Sequence, residues 1–387
     1  MLLLFFIYIA FIGLGVPDSL FGTAWPAIYA DLGLPFSYGS FITTLVFFGT
    51  MISAMLSAKL INRFGTGRVA AVSTFMTAVA MIGYSFAPNY VFILLCAIPL
   101  GLGAGCIDTS LNNYIAVHYS ARHMNFLHCF YGIGITISPI ILSKTMETTS
   151  GWRNGYRIAF VIQLVIAILL FFALPLWKKQ GENQENQEER VLVLSLKEIV
   201  RTPGIKLIWL LFVATCAIEC TCGSWGGTYL VEAHGMNPEA AARIILFYYM
   251  GVAIGRFIAG ICSEWLSVYK IICIGMAVLM IGCLLLFVSN GTVLIILGLL
   301  LIGIGNGPMF PNFNYITPLL YGEEKSPALI GSEYTSASIA TMTVPIIVGQ
   351  VAAKIGFDIF PYVIAISLVV LVIAYCCLYK KIVASKK

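Results

Sequence analysis

Three carboxylates lie far inside segments of the sequence that are otherwise almost entirely apolar. They are Asp18 in GLGVPDSLFGTAWP, Asp108 in GLGAGCIDTSLNN and Glu219 in CAIECTCGSWGGTYL. A charged side chain at the centre of a membrane helix costs roughly 2.5–3.5 kcal/mol on insertion scales. Such a residue faces water, contacts a partner or takes up a proton, because burial disfavours its charged form. We therefore regard all three carboxylates as candidate functional groups.

Polar and aromatic residues accompany these carboxylates. Asn112 follows Asp108 by one helical turn and shares its face, and Trp225 and Tyr229 share a face after Glu219. Aromatic rings beside carboxylates and amides suit a sugar, whose C–H faces stack on rings while its hydroxyls form hydrogen bonds. Two alternatives stay open: a buried carboxylate can hold two helices together, and aromatic residues near a helix end can lie in the membrane interface.

Further polar residues occur early in two other apolar segments. In NFLHCFYGIGITISP, Asn125 and His128 are three residues apart and share a helical face. His128 is a candidate proton carrier because histidine titrates near neutral pH, although a solvated helix end would explain both residues equally well. Glu333 lies near the start of its segment, so we interpret it as an interfacial carboxylate close to Arg63 or Lys325.

The elements that carry these residues are predicted to be membrane helices. Of the 387 residues, 60% are hydrophobic and only 10% are charged, whereas about a quarter are charged in an ordinary soluble domain. The first apolar run lacks the flanks of a signal peptide, so we interpret it as the first membrane helix. Runs of about 20 apolar residues predict twelve spans, at 3–29, 39–61, 68–87, 90–117, 125–148, 157–177, 205–230, 241–263, 269–289, 292–319, 327–352 and 357–379.

Basic residues predict the orientation of these spans. If the chain starts inside, 17 of its 22 Lys and Arg residues fall in cytoplasmic loops and tails. This excess on one side places both termini in the cytoplasm. We expect the protein in the cell membrane, the inner one where there are two. The net charge of +5 is thereby explained by topology, and no nucleic-acid partner is expected.

The sequence divides into two groups of six spans. Residues 178–204 separate them and consist of the polar stretch KKQGENQENQEER followed by VLVLSLKEIVRTPG, which predicts a short amphipathic surface helix. The predicted domains are thus an N-terminal six-helix bundle at 1–177, a linker at 178–204 and a C-terminal bundle at 205–387. Polar Asn62 and Glu264 follow the second and eighth spans in a similar way, as internally repeated transporters show.

Twelve spans, a central linker and the loop LINRFGTGR make the chain similar to the major facilitator superfamily. That family's motif between helices two and three places an acid before Arg63, whereas this chain has Asn62 there, with Ala58 for a glycine and Gly65 kept. The resemblance implies an all-α membrane fold of two pseudo-symmetric bundles. It also implies a conformational gate, for which Asn62, Arg63 and Glu264 are the candidates.

Other stretches resemble one branch of that superfamily, the fucose–proton symporters and their glucose- and galactose-transporting relatives. In that family's symporter, an acid of the first helix helps to bind sugar and one of the fourth helix, a glutamate, takes the coupling proton. The resemblance implies a sugar and proton role for Asp18 and a proton role for Asp108. It is carried by Asp18, Gly22, Trp25, Pro26, Asp108, Thr109, Asn112, Asn125, Leu127, His128, Gly132, Gly134, Pro139, Glu219, Trp225, Tyr229, Gly307, Pro308 and Pro311.

Together these features predict a monomeric secondary transporter for proton-coupled sugar symport. The candidate sugar contacts are Asp18, Asn112, Asn125, His128, Glu219, Trp225, Tyr229 and Asn312. Sodium coupling and proton-driven export of amphipathic compounds remain alternatives. The four histidines have no spacing typical of a membrane enzyme, and no cofactor or metal is expected, since the cysteines of Cys216–Cys222 lack further ligands.

Overall fold

The computed structural model describes residues 2–35, 38–146, 151–177, 192–288 and 291–383, and the regular structure within these ranges is helical. Twelve spans in the described residues are long and apolar enough to cross a membrane, which confirms the predicted number. The helices are α1 Leu2–Asp31, α2 Tyr38–Phe64, α3 Thr66–Phe86, α4 Tyr90–His118, α5 Ala121–Thr145, α6 Gly151–Phe172, α7 Leu196–Arg201, α8 Ile205–Glu232, α9 Pro238–Cys262, α10 Val268–Phe287, α11 Thr292–Asn306, α12 Met309–Tyr321, α13 Ser326–Ile355 and α14 Phe360–Leu378, which continues into a π-helical turn, Tyr379–Val383.

Two of the differences from the predicted bounds have an identifiable physical cause. The sixth span starts at Gly151 rather than at 157, because Arg153 is neutralised by Asp31 at 2.9 Å and donates to the Ala87 carbonyl at 2.9 Å. The tenth span is divided into α11 and α12 around Pro308, which has no N–H to continue the helical hydrogen bonds. The predicted polar stretch at 178–190 lies outside the described residues.

The chain forms two compact units. Unit 1 contains Met1–Val117, Leu127–Val193 and Gly322–Thr335, and unit 2 contains His118–Phe126, Leu194–Tyr321 and Ser336–Lys387. The beginning of α5 therefore belongs to unit 2, and the beginning of α13 belongs to unit 1. The domain boundaries at 177 and 205 stay a prediction.

In unit 1, α1 and α5 approach each other at a pair of glycines. A Cβ atom added to Gly134 would lie 3.0 Å from the Cα atom of Gly15. Ser138 donates to the Val16 carbonyl at 2.5 Å and Ser19 donates to the Ile135 carbonyl at 2.6 Å. Small residues and interhelical hydrogen bonds of this kind replace the hydrophobic effect as the cause of helix association in a membrane.

Helix α1 stays continuous through Pro17, and α6 supplies the hydrogen bond that this proline cannot make. Pro17 has no N–H to donate to the carbonyl of Gly13, four residues earlier. The side-chain amide of Gln163, which is buried in α6, donates to that carbonyl instead. The backbone around Asp18 is thus held in a helix although the sequence interrupts it.

In unit 2, α9 and α11 repeat the glycine contact. A Cβ atom on Gly303 would lie 3.0 Å from the Cα atom of Gly251 and 2.8 Å from the Val252 nitrogen, and it would overlap the Tyr248 carbonyl oxygen. These neighbours are backbone atoms, so a larger residue would have to push the helices apart. The two helices can pack at this distance only with glycine at these positions.

The predicted amphipathic helix is present as the short helix α7. Its N-cap Ser195 and Glu198 form a capping box, in which each side chain hydrogen-bonds to the backbone of the other residue. The pKa of Glu198 is lowered mainly by the hydrogen bond from the Ser195 hydroxyl. The hydrogen bond from the Ser195 backbone N–H lowers it further. Ile199 is buried whereas Leu196 and Val200 are exposed, so part of the apolar surface of α7 remains open.

Replacing Gly303 by alanine tests the contact between α9 and α11. We expect the Gly303→Ala variant to lose about 1–3 kcal/mol of stability, because its methyl group overpacks against backbone atoms. Thermal unfolding of the detergent-purified protein should show a lower apparent Tm. Gly227→Ala is the matched control, since a Cβ atom at Gly227 meets nothing within 4 Å. Equal melting curves for the two variants would contradict the close packing.

Candidate functional site

Asp108 is the centre of a hydrogen-bonded network in unit 1. It is half-buried in α4, about 27 Å from the first residue of the helix and about 15 Å from the last at 1.5 Å per residue. Its Oδ1 atom accepts a hydrogen bond from the Asn112 amide at 2.8 Å and one from the Tyr334 hydroxyl at 3.0 Å. The carboxylate thus has two donors, one from its own helix and one from the beginning of α13.

The network continues from Asn112 to His128. Asn112 Oδ1 lies 3.0 Å from His128 Nε2. Because the Asn112 amide nitrogen donates to Asp108, its oxygen accepts and Nε2 of His128 must carry a hydrogen. Asn112 is 0% exposed. Asn125 and His128 are 0% and 6% exposed, which excludes a solvated helix end as the explanation for these two residues.

Asp18 lies in the same unit, near the middle of α1. It is about 24 Å from Leu2 and about 20 Å from Asp31 along the helix. Its side chain is exposed, and its Oδ2 atom accepts a hydrogen bond from the Tyr131 hydroxyl at 2.6 Å. An exposed carboxylate at this depth of a membrane helix requires water or a polar ligand, because lipid chains cannot solvate it.

Glu219 lies in unit 2, near the middle of α8 and about 20 Å from both helix ends. It is half-buried, and its carboxylate lies close enough to the Tyr249 hydroxyl of α9 for the two groups to interact electrostatically. One turn after Glu219, a Cβ atom on Gly223 would lie 2.9 Å from the Tyr249 hydroxyl oxygen. Among the described residues, no three His, Cys, Asp or Glu side chains are grouped as metal ligands.

The two aromatic candidates of α8 contact different neighbours. Trp225 is half-buried, and its Nε1 atom donates to the Pro345 carbonyl at 2.9 Å. Tyr229 is 3% exposed and stacks on Phe360, with ring centres 4.4 Å apart. The contacts of Tyr229 favour a role in packing α8 against α14.

Asn125 and Asn312 form a buried pair in unit 2, where the beginning of α5 contacts α12. Each side-chain amide donates to the oxygen of the other, at 3.2 and 3.4 Å, and both residues are 0% exposed. Asn312 also donates to the Pro308 carbonyl at 2.6 Å, at the break between α11 and α12. The pair therefore connects α5 to the interruption of the tenth span.

The candidate gating residues have different surroundings. Glu264 forms an ion pair with Arg122, which connects the turn after α9 to the beginning of α5 within unit 2. Arg122 also lies over the Phe126 ring at 5.5 Å. Asn62 and Arg63 are exposed at the end of α2, with Arg63 over the Phe64 ring at 5.3 Å.

Glu333, which the sequence suggested to be an interfacial carboxylate, is 0% exposed. The reason is that the first turns of α13 pack against α2 and α4 in unit 1. A Cβ atom on Gly331 would overlap the Ala54 carbonyl oxygen, and Ser326 donates to Asn113 at 2.7 Å. Proximity of Glu333 to the start of its segment therefore does not make it accessible to water.

Sequence reasoning missed the partners of the candidate residues. Tyr131 follows His128 by three residues, so helical spacing could have placed it on the same face as His128, although not beside Asp18. Tyr334 and Arg122 carried no such signal, because their partners Asp108 and Glu264 are 226 and 142 residues away in the chain.

The chain matches the family model of the Major Facilitator Superfamily over residues 3–326 and, in an overlapping match, over 227–387. It is 23% identical over 389 residues to Bypass of stop codon protein 6 of Saccharomyces cerevisiae, which covers 91% of this chain and 77% of that protein. It is 20% identical over 242 residues to the glucose/mannose transporter GlcP of Bacillus subtilis, which covers 59% of each.

A solved structure has the same fold. The crystal structure of the E. coli fucose:proton symporter FucP aligns with a TM-score of 0.77 and covers 97% of this chain and 97% of that one. The two sequences are 17% identical. The all-helical, twelve-span fold predicted from the sequence is thereby confirmed.

Replacing Asn125 and Asn312 by alanine, singly and together, tests the buried amide pair. Each single variant leaves a buried amide with one partner fewer and should lose about 1–3 kcal/mol of stability. The double variant should lose less than the sum, since two residues in contact are coupled by about 0.5–3 kcal/mol. Thermal unfolding in detergent measures the three losses.

The control for this cycle combines Asn125→Ala with Thr215→Ala. Thr215 donates to Asn306 at 2.7 Å and belongs to a different hydrogen-bonded pair of unit 2. Its effect should add to that of Asn125→Ala. Additive losses for Asn125 and Asn312 as well would show that the two amides do not interact.

Proposed function

The chain belongs to the major facilitator superfamily, and on that premise we propose that it is a secondary transporter which carries a monosaccharide together with a proton by alternating access. The observation that carries this proposal is the network Asp108–Asn112–His128 with Tyr334, in the same unit as the exposed Asp18. The names of GlcP and FucP, a glucose/mannose transporter and a fucose:proton symporter, support a sugar of the hexose class.

Asp108 is proposed to bind the coupling proton. As a carboxylate it accepts charge-assisted hydrogen bonds from Asn112 and Tyr334, which are about twice as strong as neutral ones. Protonation removes the charge and weakens both bonds, so the beginning of α13 loses part of its attachment to α4. Proton uptake thereby shifts the balance between conformations, and a sugar that prefers one of them is coupled to the proton by linkage.

Asp18, Asn112, Glu219 and Trp225 are proposed to bind the sugar. Asp18 is exposed at mid-helix, and its carboxylate suits hydrogen bonds from sugar hydroxyls. Asn112 is 0% exposed and hydrogen-bonded to Asp108 and His128, so it would reach the sugar only after a rearrangement and would then link the sugar to the proton. The remaining candidates, Asn125, His128, Tyr229 and Asn312, are buried and hydrogen-bonded or stacked within the protein, so they would bind sugar only after a rearrangement.

The surroundings of Asp108 favour a proton over sodium. Its described partners are an amide N–H and a phenol O–H, which point hydrogens at the carboxylate. A hard cation needs several oxygen ligands with free lone pairs. Transport that depends on sodium at fixed pH would instead support the sodium alternative.

The gate is proposed to include Arg122 with Glu264, together with Asn62 and Arg63. The ion pair joins a helix of the first six spans to the turn after the eighth span, so it must open if these segments separate during transport. We further propose that both termini are cytoplasmic, as the basic residues indicate. The proposal also includes a monomeric protein that resides in the cell membrane.

Replacing Asp108 by asparagine tests the coupling role. Proteoliposomes with an imposed inward proton gradient should accumulate fucose, glucose or galactose with the unaltered chain. Asp108→Asn should reduce this uphill accumulation at least about ten-fold, since its amide cannot release a proton in this pH range, while sugar exchange without a gradient persists. Glu198→Gln, in the exposed cap of α7, should accumulate sugar normally.

Unchanged accumulation by Asp108→Asn under the same gradient would refute the proton role of Asp108. Absence of any sugar uptake by the unaltered chain, tested with all three sugars, would refute the sugar substrate and leave export of amphipathic compounds as the alternative.

Charge reversal tests the gate. Arg122→Glu places two carboxylates beside each other and should change the initial rate of exchange about two- to five-fold, because an exposed ion pair is worth at most about 1 kcal/mol. The double variant Arg122→Glu with Glu264→Arg restores the pair and should return the rate toward its original value. Arg201→Glu, on exposed α7, controls for the change in net charge. Failure of the double variant to recover would contradict a gating role for the pair.

A further inference from the structure

A groove between α10 and the end of α14 in unit 2 is not part of the proposed transport site. It encloses about 500 Å³. We name it the tyrosine groove, and the residues that matter for its chemistry are Tyr269, Lys270, Cys273, Ile274, Tyr375 and Tyr379.

Three tyrosines form the walls of the tyrosine groove. The Tyr375 hydroxyl donates to the Tyr269 carbonyl at 3.2 Å, which connects the end of α14 to the beginning of α10. The ring of Tyr379 lies 6.2 Å from that of Tyr269 and 6.4 Å from that of Tyr375. Tyr375 is buried, whereas Tyr269 and Tyr379 keep exposed surface, so the aromatic walls can contact a ligand in the groove.

The tyrosine groove lies where two membrane spans end. Helix α10 begins at Val268, directly after the turn that carries Trp265, and α14 ends at Leu378. Trp265 is 73% exposed. Exposed tryptophan and tyrosine are typical of the boundary between lipid headgroups and hydrocarbon. The groove therefore opens at the depth of the headgroups.

The charges around the tyrosine groove are positive. Lys270 lines it and is exposed, and exposed Lys380 and Lys381 follow Tyr379 directly. None of the described residues that line the groove is acidic. One helical turn from Lys270, Ile274 is 50% exposed and provides an apolar continuation of the groove along α10. A ligand that fits both parts has an anionic end and an apolar chain.

We propose that the tyrosine groove binds an anionic phospholipid. Its phosphate would lie beside Lys270 and the tyrosine hydroxyls, and an acyl chain would follow Ile274 into the hydrocarbon. Basic pockets between membrane helices at a membrane face bind lipid headgroups in this way. This inference depends on the chain being embedded in a membrane and not on sugar or proton transport.

Native mass spectrometry of the full-length protein tests the inference. Delipidated protein is incubated in detergent with equal amounts of phosphatidylglycerol and phosphatidylcholine of the same chain length. Phosphatidylglycerol should bind preferentially, and Lys270→Gln should reduce its binding about five-fold, the contribution of one basic residue near an anionic surface. The triple variant with Lys380→Gln and Lys381→Gln should reduce it further.

Lys206→Gln is the matched control, because Lys206 is an exposed lysine in the first turn of α8 of the same unit and does not line the groove. Melting curves establish that each variant is folded. Equal binding of the two lipids, or equal effects of Lys270→Gln and Lys206→Gln, would overturn the proposal. Complete displacement of the lipid by soluble glycerol phosphate at equal concentration would also overturn it, because the site would then recognise phosphate without the chain.

Discussion

A carboxylate inside a membrane helix is stable only where donors or water surround it, and Asp108 obtains its donors from other parts of the chain. Asn112 lies on the same helix, but Tyr334 comes from α13 and His128 reaches the network from α5. The position of Asp108 thus depends on three helices being in contact at one level of unit 1.

The helices can meet at that level because glycines allow their backbones to approach. Gly15 and Gly134 bring α1 to α5, which places Asp18 beside Tyr131. Gly331 lies three residues before Tyr334 and brings the beginning of α13 against Ala54 of α2. Close packing and polar chemistry are therefore parts of one arrangement, since van der Waals contact and hydrogen bonds hold helices together where lipid chains are as apolar as leucine.

Much of the fold could be predicted from hydropathy, because a membrane span must bury about 20 apolar residues whatever its neighbours are. The limits of this argument appear at α6 and at the tenth span. Hydropathy placed the start of α6 at Arg157, whereas Asp31 and the Ala87 carbonyl satisfy Arg153 within the helix. It also predicted one tenth helix, although Pro308 divides it. Local composition does not report a partner that is distant in the chain.

The sequence alone determined which residues carry a high free-energy cost in a membrane. The cost of Asp18, Asp108 or Glu219 follows from the residue type and from the apolar segment, as long as one membrane span, that surrounds it. Helical spacing also placed Asn112 beside Asp108. Only the tertiary structure decided that Tyr334, Tyr131 and Arg122 are partners, and that Glu333 is buried. These facts depend on which helices pack together, and contacts between residues more than 100 positions apart leave no periodic pattern in a single sequence.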